Sequence, residues 1–250
     1  MIKVLLSGIC GKMGANILEL TKNDEQIKIV GGIDLNDGKV GDIPVYSCFD
    51  KVQEKPDVII DFSSPKIIES ELNYAKKVKA AVVLATTGYT AEDLQKIEKA
   101  SEQIAVFRTA NFSLGVNLLV KLVKQATAVL GENFDIEIIE KHHNQKVDAP
   151  SGTAIMLADG ANEVLNGERD YIYGREGACG RRGNEIAMHA IRGGTIVGEH
   201  DVLFCGEDEI ITLSHSARSK KVFATGAIKA AKWVANKPAG KYDMTNVLNF

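Results

Sequence analysis

Short apolar segments alternate with amphipathic segments over the first half of the chain. The apolar segments are rich in Val, Ile and Leu and end in small or polar residues, which is typical of strands buried on both faces. Strands are predicted at IKVLLSG, KIVGGID, DVIIDFSS, AAVVLATTG and IAVFRTAN. Helices are predicted between several of them, at KMGANILELTK, PKIIESELNYAKKV and TAEDLQKIEKAS. This alternation indicates a parallel sheet covered by helices on both faces, which is a doubly wound α/β fold.

The pattern changes in the second half. A helix over LGVNLLVKLVKQATAVLG, a strand over FDIEIIEKHH and a helix over AIMLADGANEVLNG are followed by EIAMHAIRGGTIVGEHDVLFCGEDEIITLSHSAR. This last stretch alternates strictly and contains glycine turns, so it predicts an antiparallel meander with one wetter face. The final predicted helix, KVFATGAIKAAKWVANK, returns to the style of the first half. We therefore expect one domain from residues 1–112 and 222–250, and an inserted α+β domain at residues 113–221.

Composition narrows the class of protein. The 250 residues are 45% hydrophobic and 25% charged, with a formal net charge of -3, which is typical of a soluble globular protein. No block of basic residues favours a nucleic-acid partner, and no apolar run reaches the roughly eighteen residues of a membrane helix. The cysteines lack metal-ligand spacing, so we expect reduced thiols, no metal and a cytoplasmic location. They are Cys10, Cys48, Cys179 and Cys205.

A glycine-rich turn follows the first predicted strand and precedes a helix. Gly8, Gly11 and Gly14 lie in GICGKMG, although Ile9 stands where another glycine would align with Gly11 and Gly14. Glycines at such a turn let a pyrophosphate approach the backbone at the helix N-terminus. The position of this turn favours a Rossmann-like dinucleotide site over an ordinary turn.

An acidic residue ends the second predicted strand. Asp34 comes about twenty residues after the last glycine, where a carboxylate accepts hydrogen bonds from the adenosine ribose. An aspartate that only caps a turn is the alternative. Leu35, Asn36 and Asp37 follow without an arginine to hold a 2′-phosphate, which favours NADH. Lys39 is close enough in the chain to contact a 2′-phosphate, so NADPH remains open.

Two further strand ends are rich in small and polar residues. They are Ala85–Gly88 and Thr109–Phe112. Ligands of open α/β sheets lie outside the carboxyl ends of the strands, and small side chains there admit a nicotinamide ring. Phe112 is a candidate to pack on the face of that ring. Ordinary turns between strand and helix are an equally good interpretation of any single residue.

The segment EKHHNQKVDAPSGTA begins a helix in a way that suits an anion. Pro150 ends the preceding segment, and Ser151 is a natural N-cap. The amides of Gly152 and Thr153 would then point out of the helix N-terminus. Such a terminus binds carboxylate or phosphate.

The same segment carries groups that can move a proton. His142, His143 and Lys146 add donors and positive charge, and histidine and lysine both act as proton donors in enzymes. A metal site is disfavoured, because adjacent residues of a strand point to opposite sides. A surface loop is the alternative, and Asp148 is as consistent with bracing the loop as with binding a ligand.

Five segments together resemble one enzyme family over essentially the whole chain. They are GICGKMG, ATTGY, ANFSLGVN, EKHHNQKVDAPSGTA and IRGGTIVGEHDVLF. They are similar to dihydrodipicolinate reductase (4-hydroxy-tetrahydrodipicolinate reductase). The resemblance implies a cytoplasmic homotetramer of lysine and diaminopimelate biosynthesis. It implies reduction of a cyclic imine dicarboxylate, 4-hydroxy-tetrahydrodipicolinate, to tetrahydrodipicolinate with NAD(P)H.

The resemblance also implies roles for individual residues. His142 matches a proton donor or acceptor and Lys146 a proton donor, while His143, Gly152 and Thr153 match substrate-binding positions. The implied cofactor-binding residues are Gly8, Ile9, Cys10, Gly11, Lys12, Met13, Asp34, Ala85, Thr86, Thr87, Thr109, Ala110, Asn111 and Phe112. Two positions depart from the family pattern, since many members carry glycine at Cys10 and arginine at Leu35.

Other functions would also use a nucleotide loop. A different Rossmann oxidoreductase with an inserted domain, such as an amino-acid dehydrogenase, would explain the glycine turn but not the HHNQKVDAPSGT segment. A nucleotide-sensing protein without turnover usually carries a module that binds DNA or a partner, and the sequence offers no helix-turn-helix candidate. A purely structural protein leaves the polar residues at the strand ends without a role.

Overall fold

Strands and helices follow the alternating pattern of the sequence. The structure is a computed structural model and describes residues 1–249. Its strands are β1 (Ile2–Ser7), β2 (Ile27–Ile33), β3 (Gly38–Val40), β4 (Ile43–Tyr46), β5 (Val58–Asp61), β6 (Ala81–Leu84), β7 (Ala105–Arg108), β8 (Asp135–His142), β9 (Asp170–Tyr173), β10 (Glu185–Arg192), β11 (Gly198–Cys205), β12 (Ile210–Ala217) and β13 (Gly240–Tyr242). Its α-helices are α1 (Lys12–Thr21), α2 (Ile68–Val78), α3 (Ala91–Ser101), α4 (Leu114–Leu130), α5 (Gly152–Val164), α6 (Lys221–Val234) and α7 (Met244–Leu248).

The chain divides into two compact units. The amino-terminal unit consists of Met1–Leu114 together with the segment that begins at Lys221, and the inserted unit consists of Gly115–Lys220. Among the helices of residues 1–249, none is both long and apolar enough to cross a membrane.

The amino-terminal unit is built on one parallel sheet. Its strand order is β13-β7-β6-β5-β1-β2-β4-β3, and only the short β3 runs antiparallel to its neighbour. The chain moves outward from β1 through β2 to β4, then returns to the other side of β1 with β5. The strand order therefore reverses beside β1, and ligands of open α/β sheets bind at the carboxyl ends of the strands at such a point.

Both faces of this sheet are covered. Val4 and Leu6 of β1 pack into a core with α6, whereas Leu5 packs into a second core with α2 and α3. Successive side chains of a strand point to opposite faces, so an uninterrupted apolar strand requires helices on both sides. The predicted doubly wound α/β fold is confirmed.

The inserted unit has a mixed sheet that is covered on one face. Its strand order is β12-β11-β8-β10-β9, and side chains of α4 and α5 pack on it around Ile136 and Ile138 of β8. The burial of β8 alternates along the strand, so the other face carries its partly exposed residues, among them Glu137 and Lys141. We refer to this second face as the open face.

The predicted antiparallel meander is wrong for β10 and β11. The two strands are not neighbours, because β8 lies between them, parallel to β10 and antiparallel to β11. The Gly-Gly turn after β10 instead crosses the end of β8, where the Gly193 N–H donates to the His142 carbonyl and the Asn144 N–H donates to the Gly194 carbonyl. Alternation predicts that a segment is a strand, but it does not identify the partner of that strand.

Candidate active site

The glycine-rich turn joins β1 to α1 in the amino-terminal unit. Gly8 has φ +79°, and a Cβ at this position would overlap the Phe62 carbonyl oxygen. Gly11 is the N-cap of α1, and its N–H donates to the Gly8 carbonyl over 3.0 Å. The first amides of a helix have no partner within the helix, and a glycine cap places no side chain over them. The turn therefore has the open backbone that a pyrophosphate requires.

Ile9 explains why the glycine pattern is incomplete. Its side chain is buried and packs against Gly32 of β2, where a Cβ would overlap the Ile9 side chain. The glycine that permits close packing beneath the turn thus lies on the neighbouring strand. The sequence alone does not show this contact, because Ile9 and Gly32 come together only when β1 and β2 pair in the sheet.

Asp34 follows β2 and ties the turn to the strand end. Its Oδ2 accepts from the Cys10 N–H over 2.9 Å, and its Oδ1 accepts from the Leu35 N–H over 2.9 Å. Partial burial, and then the charge of Asp34, raise the pKa of the Cys10 thiol, which makes this exposed cysteine a poor nucleophile. A carboxylate has about four acceptor positions, so Asp34 can also accept from ribose hydroxyls.

The two other predicted cofactor turns follow β6 and β7. Ala85, Thr86 and Thr87 come directly after β6, and the Ser63 N–H donates to Thr86 Oγ1 over 2.9 Å. In the second turn, Thr109 Oγ1 donates to the Asn111 carbonyl over 3.2 Å. The parallel order of β5, β6 and β7 brings both turns to the edge of the sheet that carries the glycine-rich turn.

The ring of Phe112 is buried, whereas the sequence suggested that it would pack on the nicotinamide ring. The side chain is only 6% exposed and packs against the rings of Phe62 and Phe107, with centroid distances of 6.1 Å and 5.9 Å. A ring held in this aromatic cluster cannot also cover the face of a nicotinamide. The backbone of Phe112 remains its candidate contact with a cofactor.

In the inserted unit, His142 ends β8 and is held by a buried carboxylate. His142 Nδ1 lies 2.6 Å from Glu140 Oε2, and Glu140 is fully buried. An ionised carboxylate can only accept, so Nδ1 carries a proton and donates it to Glu140. The other ring nitrogen, Nε2, is then available for proton transfer. Nε2 faces Gly198, where a Cβ would lie 3.1 Å away.

Glu140 connects His142 to the start of α5. Its Oε1 accepts from the Ser151 N–H over 3.0 Å, and both carboxylate oxygens accept from Arg192 over 2.7 Å. Burial opposes ionisation of Glu140, but the hydrogen bonds from Arg192, His142 and Ser151 outweigh it and lower the pKa of this carboxyl. Arg192 also donates to the Asp148 carbonyl over 2.7 Å, so one ion pair fixes the strand end, the loop and the helix.

A second buried histidine supports the N-cap of α5. His200 Nε2 lies 2.9 Å from Ser151 Oγ, which accepts from the Ala154 N–H. The rings of His200 and His142 meet edge to face at 5.2 Å. Burial, followed by the charge of His142, lowers the pKa of His200 to about 4. His200 is therefore a neutral neighbour of His142 near neutral pH.

His200 should make the stability of the protein depend on pH. Its pKa is about 4 in the folded protein and 6.5 for an unperturbed histidine, so the unfolded chain binds more protons between these values. The free energy of unfolding should therefore fall as the pH decreases from 6.5 to 4, by up to about 3 kcal/mol from this group. Urea unfolding at several pH values should show a shallower dependence for His200→Gln than for the wild type. Parallel curves for the two proteins would contradict this assignment.

The remaining predicted residues lie in the loop after β8 and at the start of α5. Lys146 Nζ pairs with the Asp148 carboxylate over 2.8 Å and lowers the pKa of Asp148. Nδ1 of His143 is buried and has no hydrogen-bond partner among residues 1–249.

The predicted helix start is confirmed. Ser151 is the N-cap of α5, and its Oγ accepts from the Ala154 N–H over 3.2 Å. Gly152 is exposed, and a Cβ there would meet nothing within 4 Å. The first turn of α5 thus faces open space next to Ser151, as an anion site requires.

Sequence reasoning missed three residues of this cluster, namely Glu140, Arg192 and His200. One signal was present, because Glu140 and His142 are two residues apart on a predicted strand and so share a face. Arg192 and His200 are 52 and 49 residues from their partners in the chain, and no local pattern connects them.

Comparisons with known proteins match both units. The family profile for the dihydrodipicolinate reductase N-terminus matches residues 2–112, and the profile for the C-terminus matches residues 115–248. A 4-hydroxy-tetrahydrodipicolinate reductase from Caldanaerobacter subterraneus subsp. tengcongensis is 50% identical over 249 residues, which cover 99% of this chain and 98% of the relative. The enzyme of the same name from Clostridium perfringens is 46% identical over 250 residues, with 99% and 98% coverage.

Solved structures agree. A dipicolinate-bound dihydrodipicolinate reductase from Paenisporosarcina sp. TG-14 has a TM-score of 0.81 and 28% identity and covers 97% of each chain. A probable dehydrogenase from Thermotoga maritima shares the fold alone, with a TM-score of 0.62, 12% identity and coverage of 96% and 91%. The chain therefore belongs to the dihydrodipicolinate reductase (4-hydroxy-tetrahydrodipicolinate reductase) family, oxidoreductases of lysine and diaminopimelate biosynthesis that use NAD(P)H.

Proposed function

We propose that this chain reduces 4-hydroxy-tetrahydrodipicolinate to tetrahydrodipicolinate with NADH as the preferred cofactor, and that His142 and Lys146 handle the proton. The observation that carries the proposal is the buried Glu140 carboxylate, which holds His142 and the first turn of α5 together. One carboxylate thus links a group that moves a proton to a terminus that binds an anion.

The amino-terminal unit has the features needed to hold a dinucleotide. The turn at Gly8 would take the pyrophosphate, because any side chain there would fill the space beside Phe62. Asp34 would accept from the ribose, and the turns Ala85–Thr87 and Thr109–Phe112 would border the nicotinamide. When bound, reduced nicotinamide supplies the hydride.

The inserted unit has the features needed to hold a dicarboxylate. The amides of Gly152 and Thr153 would bind one substrate carboxylate, since a helix N-terminus carries partial positive charge. His143 and Lys146 would bind or neutralise the other. The related enzyme from Paenisporosarcina is bound to dipicolinate, a planar dicarboxylate, which supports this assignment.

Proton transfer completes the reduction. The product lacks the 4-hydroxyl of the substrate, so this hydroxyl must leave as water to give a conjugated cyclic imine. As hydride is added to that imine, negative charge would develop on the ring, and a positioned acid must neutralise it with one proton. Glu140 fixes His142 so that Nε2 can take or give a proton. Among residues 1–249, Lys146 Nζ pairs with Asp148, whose side chain is 60% exposed, so the lysine can leave that partner to donate to the substrate. Both residues are thus candidates, with His142 the more rigid of the two.

The surroundings of Asp34 support NADH as the preferred cofactor. The next residue, Leu35, is 88% exposed and brings no charge to a 2′-phosphate. Asp37 is also close in the chain, and its carboxylate pairs with Lys51. A 2′-phosphate would therefore meet the Asp34 carboxylate and no arginine at position 35, although Lys39 is near enough in the chain to support some use of NADPH.

Leu35→Arg should shift the enzyme toward NADPH. Because Leu35 is exposed, the change should leave folding intact, and a charged hydrogen bond to the 2′-phosphate should raise kcat/KM for NADPH by about tenfold or more relative to NADH. The ratio of kcat/KM with the two cofactors measures the effect. Leu35→Gln, which is polar but uncharged, is the matched control. An unchanged ratio in Leu35→Arg would show that this position does not face the ribose.

The direct test is the loss of reduced-nicotinamide absorbance with freshly generated substrate, run in parallel with NADH and NADPH. Rapid substrate-dependent oxidation, faster with NADH, is the expected result. The contrary result is a folded protein that binds NADH but oxidises neither NADH nor NADPH when the substrate is added. That result would keep the nucleotide site and remove the substrate assignment.

Assembly and location are part of the proposal. The open face of the inserted sheet carries partly exposed apolar residues such as Ile139, which favours burial against other copies in a homotetramer. The four cysteines within the described residues are free thiols, as expected in a reducing cytoplasm.

A further inference from the structure

A buried carboxylate, Asp61, lies where three strand ends of the amino-terminal unit meet. It is the last residue of β5 and is 1% exposed. β5 pairs with β1, which leads into the glycine-rich turn, and with β6, which leads into the Ala85–Thr87 turn. The roles proposed above for the cofactor turns do not use Asp61, so its burial calls for a separate account.

The Asp61 carboxylate accepts hydrogen bonds from two loops. Oδ1 accepts from the Ser63 N–H over 2.9 Å and from Ser63 Oγ over 2.5 Å, and Oδ2 accepts from the Tyr89 hydroxyl over 3.2 Å. The Thr86 hydroxyl, which accepts from the Ser63 N–H, also lies near enough to the carboxylate to lower its pKa. Ser63 belongs to the loop after β5, whereas Thr86 and Tyr89 belong to the loop after β6. One carboxylate therefore joins these two loops.

Backbone contacts extend the connection to the phosphate side. The Ser63 N–H is shared with Thr86 Oγ1, and the Phe62 N–H donates to the Ser7 carbonyl over 3.1 Å. The Phe62 carbonyl lies directly against Gly8. The segment from Asp61 to Ser63 thus contacts the glycine-rich turn on one side and the Thr86 turn on the other.

A second buried carboxyl nearby serves as a contrast. Glu71 of α2 is fully buried, and neither of its oxygens has a hydrogen-bond partner among residues 1–249. Burial, and then the charge of Asp61, raise the pKa of Glu71 well above its usual value. Burial also raises the pKa of Asp61, but the hydrogen bonds from Ser63 and Thr86 oppose that effect. Every donor in the cluster points to Asp61, and none points to Glu71.

From this geometry we infer that Asp61 is a positioning residue for cofactor binding, which holds the Ala85–Thr87 turn at a fixed distance from the glycine-rich turn through Ser63, Thr86 and Tyr89. The inference rests on the proposed binding of NADH at these turns. A dinucleotide spans both of them, so its affinity depends on their spacing. Loss of the carboxylate would leave the Ser63 N–H, the Ser63 hydroxyl and the Tyr89 hydroxyl without this acceptor and let the Thr86 turn move.

The test is a set of variants assayed for NADH affinity by fluorescence titration. Asp61→Ala should raise the Kd for NADH by about tenfold or more, because several hydrogen bonds are lost together. Asp61→Asn keeps an oxygen that can accept from Ser63, so its Kd for NADH should lie within about threefold of the wild-type value. Glu71→Gln, a matched change at a buried carboxyl that bonds neither loop, should leave the Kd unchanged. Steady-state assays should show the rise in KM for NADH and little change in KM for the dicarboxylate.

A double-mutant cycle separates positioning from general destabilisation. If Asp61 acts through Thr86, the Kd of the Asp61→Ala/Thr86→Val double variant should be much lower than the product of the single effects predicts. Additive effects would overturn the inference. If Asp61→Ala does not yield folded protein, the Tyr89→Phe variant provides the test, since it removes a single donor to Asp61. A Kd for NADH raised by about threefold would support the inference, and an unchanged Kd would overturn it.

The two proposals fail in different ways. A wild-type protein without affinity for NADH would remove the proposed cofactor site and this inference with it. A wild-type protein that binds NADH, with an Asp61→Ala variant of equal affinity, would overturn only the positioning role.

Discussion

Glu140→Gln should lower kcat by about a hundred- to ten-thousand-fold, the range that positioned proton transfer supplies. The carboxylate accepts from His142 Nδ1 and so dictates which ring nitrogen carries the proton. Glutamine can instead present its amide N–H to Nδ1, which would leave Nε2 protonated and turn the ring into the wrong tautomer. Steady-state kinetics with saturating NADH and substrate would measure the loss. KM for NADH should change little, because Glu140 belongs to the inserted unit.

Arg192→Gln is the matched control for this variant. It also breaks the buried ion pair, and removal of one partner of such a pair typically costs about 3–5 kcal/mol of stability. However, it keeps the carboxylate that accepts from His142, so kcat of the folded enzyme should fall by only about tenfold. Equal losses of kcat in the two variants would mean that the Glu140–Arg192 ion pair only stabilises the local structure. Glu140 would then not act through His142.

The fold could be predicted where local pattern and tertiary burial agree. β1 carries apolar residues at consecutive positions, and only a strand with helices on both sides can bury them all. The start of α5 was equally clear, because Ser151 both follows a proline and caps the helix through Ala154. The pairing of β10 was not predictable, since the Gly193–Gly194 turn that suggested a hairpin actually crosses the end of β8.

The same limit applies to the site. His142, Lys146 and Gly152 lie within one short segment, so their types and spacing were enough to indicate a proton donor beside an anion site. Arg192 and Asp61 could not be found in this way, because each acts through partners from distant strands and loops. Phe112 shows the converse error: an aromatic ring at a strand end suggested a stacking partner, whereas the ring completes the core with Phe62 and Phe107.

Lys146→Ala is the second change with a large expected effect. If Lys146 delivers the proton to the reduced ring, kcat should fall by about a hundred- to ten-thousand-fold, and NADH binding should persist. Stability should change little, because the ion pair that is lost involves an aspartate whose side chain is 60% exposed. Steady-state kinetics and a thermal melt on the same preparation would measure both effects. Undiminished turnover would remove Lys146 from the proton transfer and leave His142 as the remaining candidate.

Asp148→Asn separates the lysine from its partner. In the free enzyme the Asp148 carboxylate holds Lys146 Nζ, and the substrate carboxylates must compete with it. The amide is a weaker competitor, and a partly exposed ion pair of this kind is worth up to about 1 kcal/mol, so KM for the dicarboxylate should fall by up to about fivefold. Turnover should persist, because the lysine itself is retained. A loss of kcat as large as that of Lys146→Ala would instead show that Asp148 orients the lysine toward the substrate. Lys146 and Asp148 would then act together during turnover, rather than separating when the substrate binds.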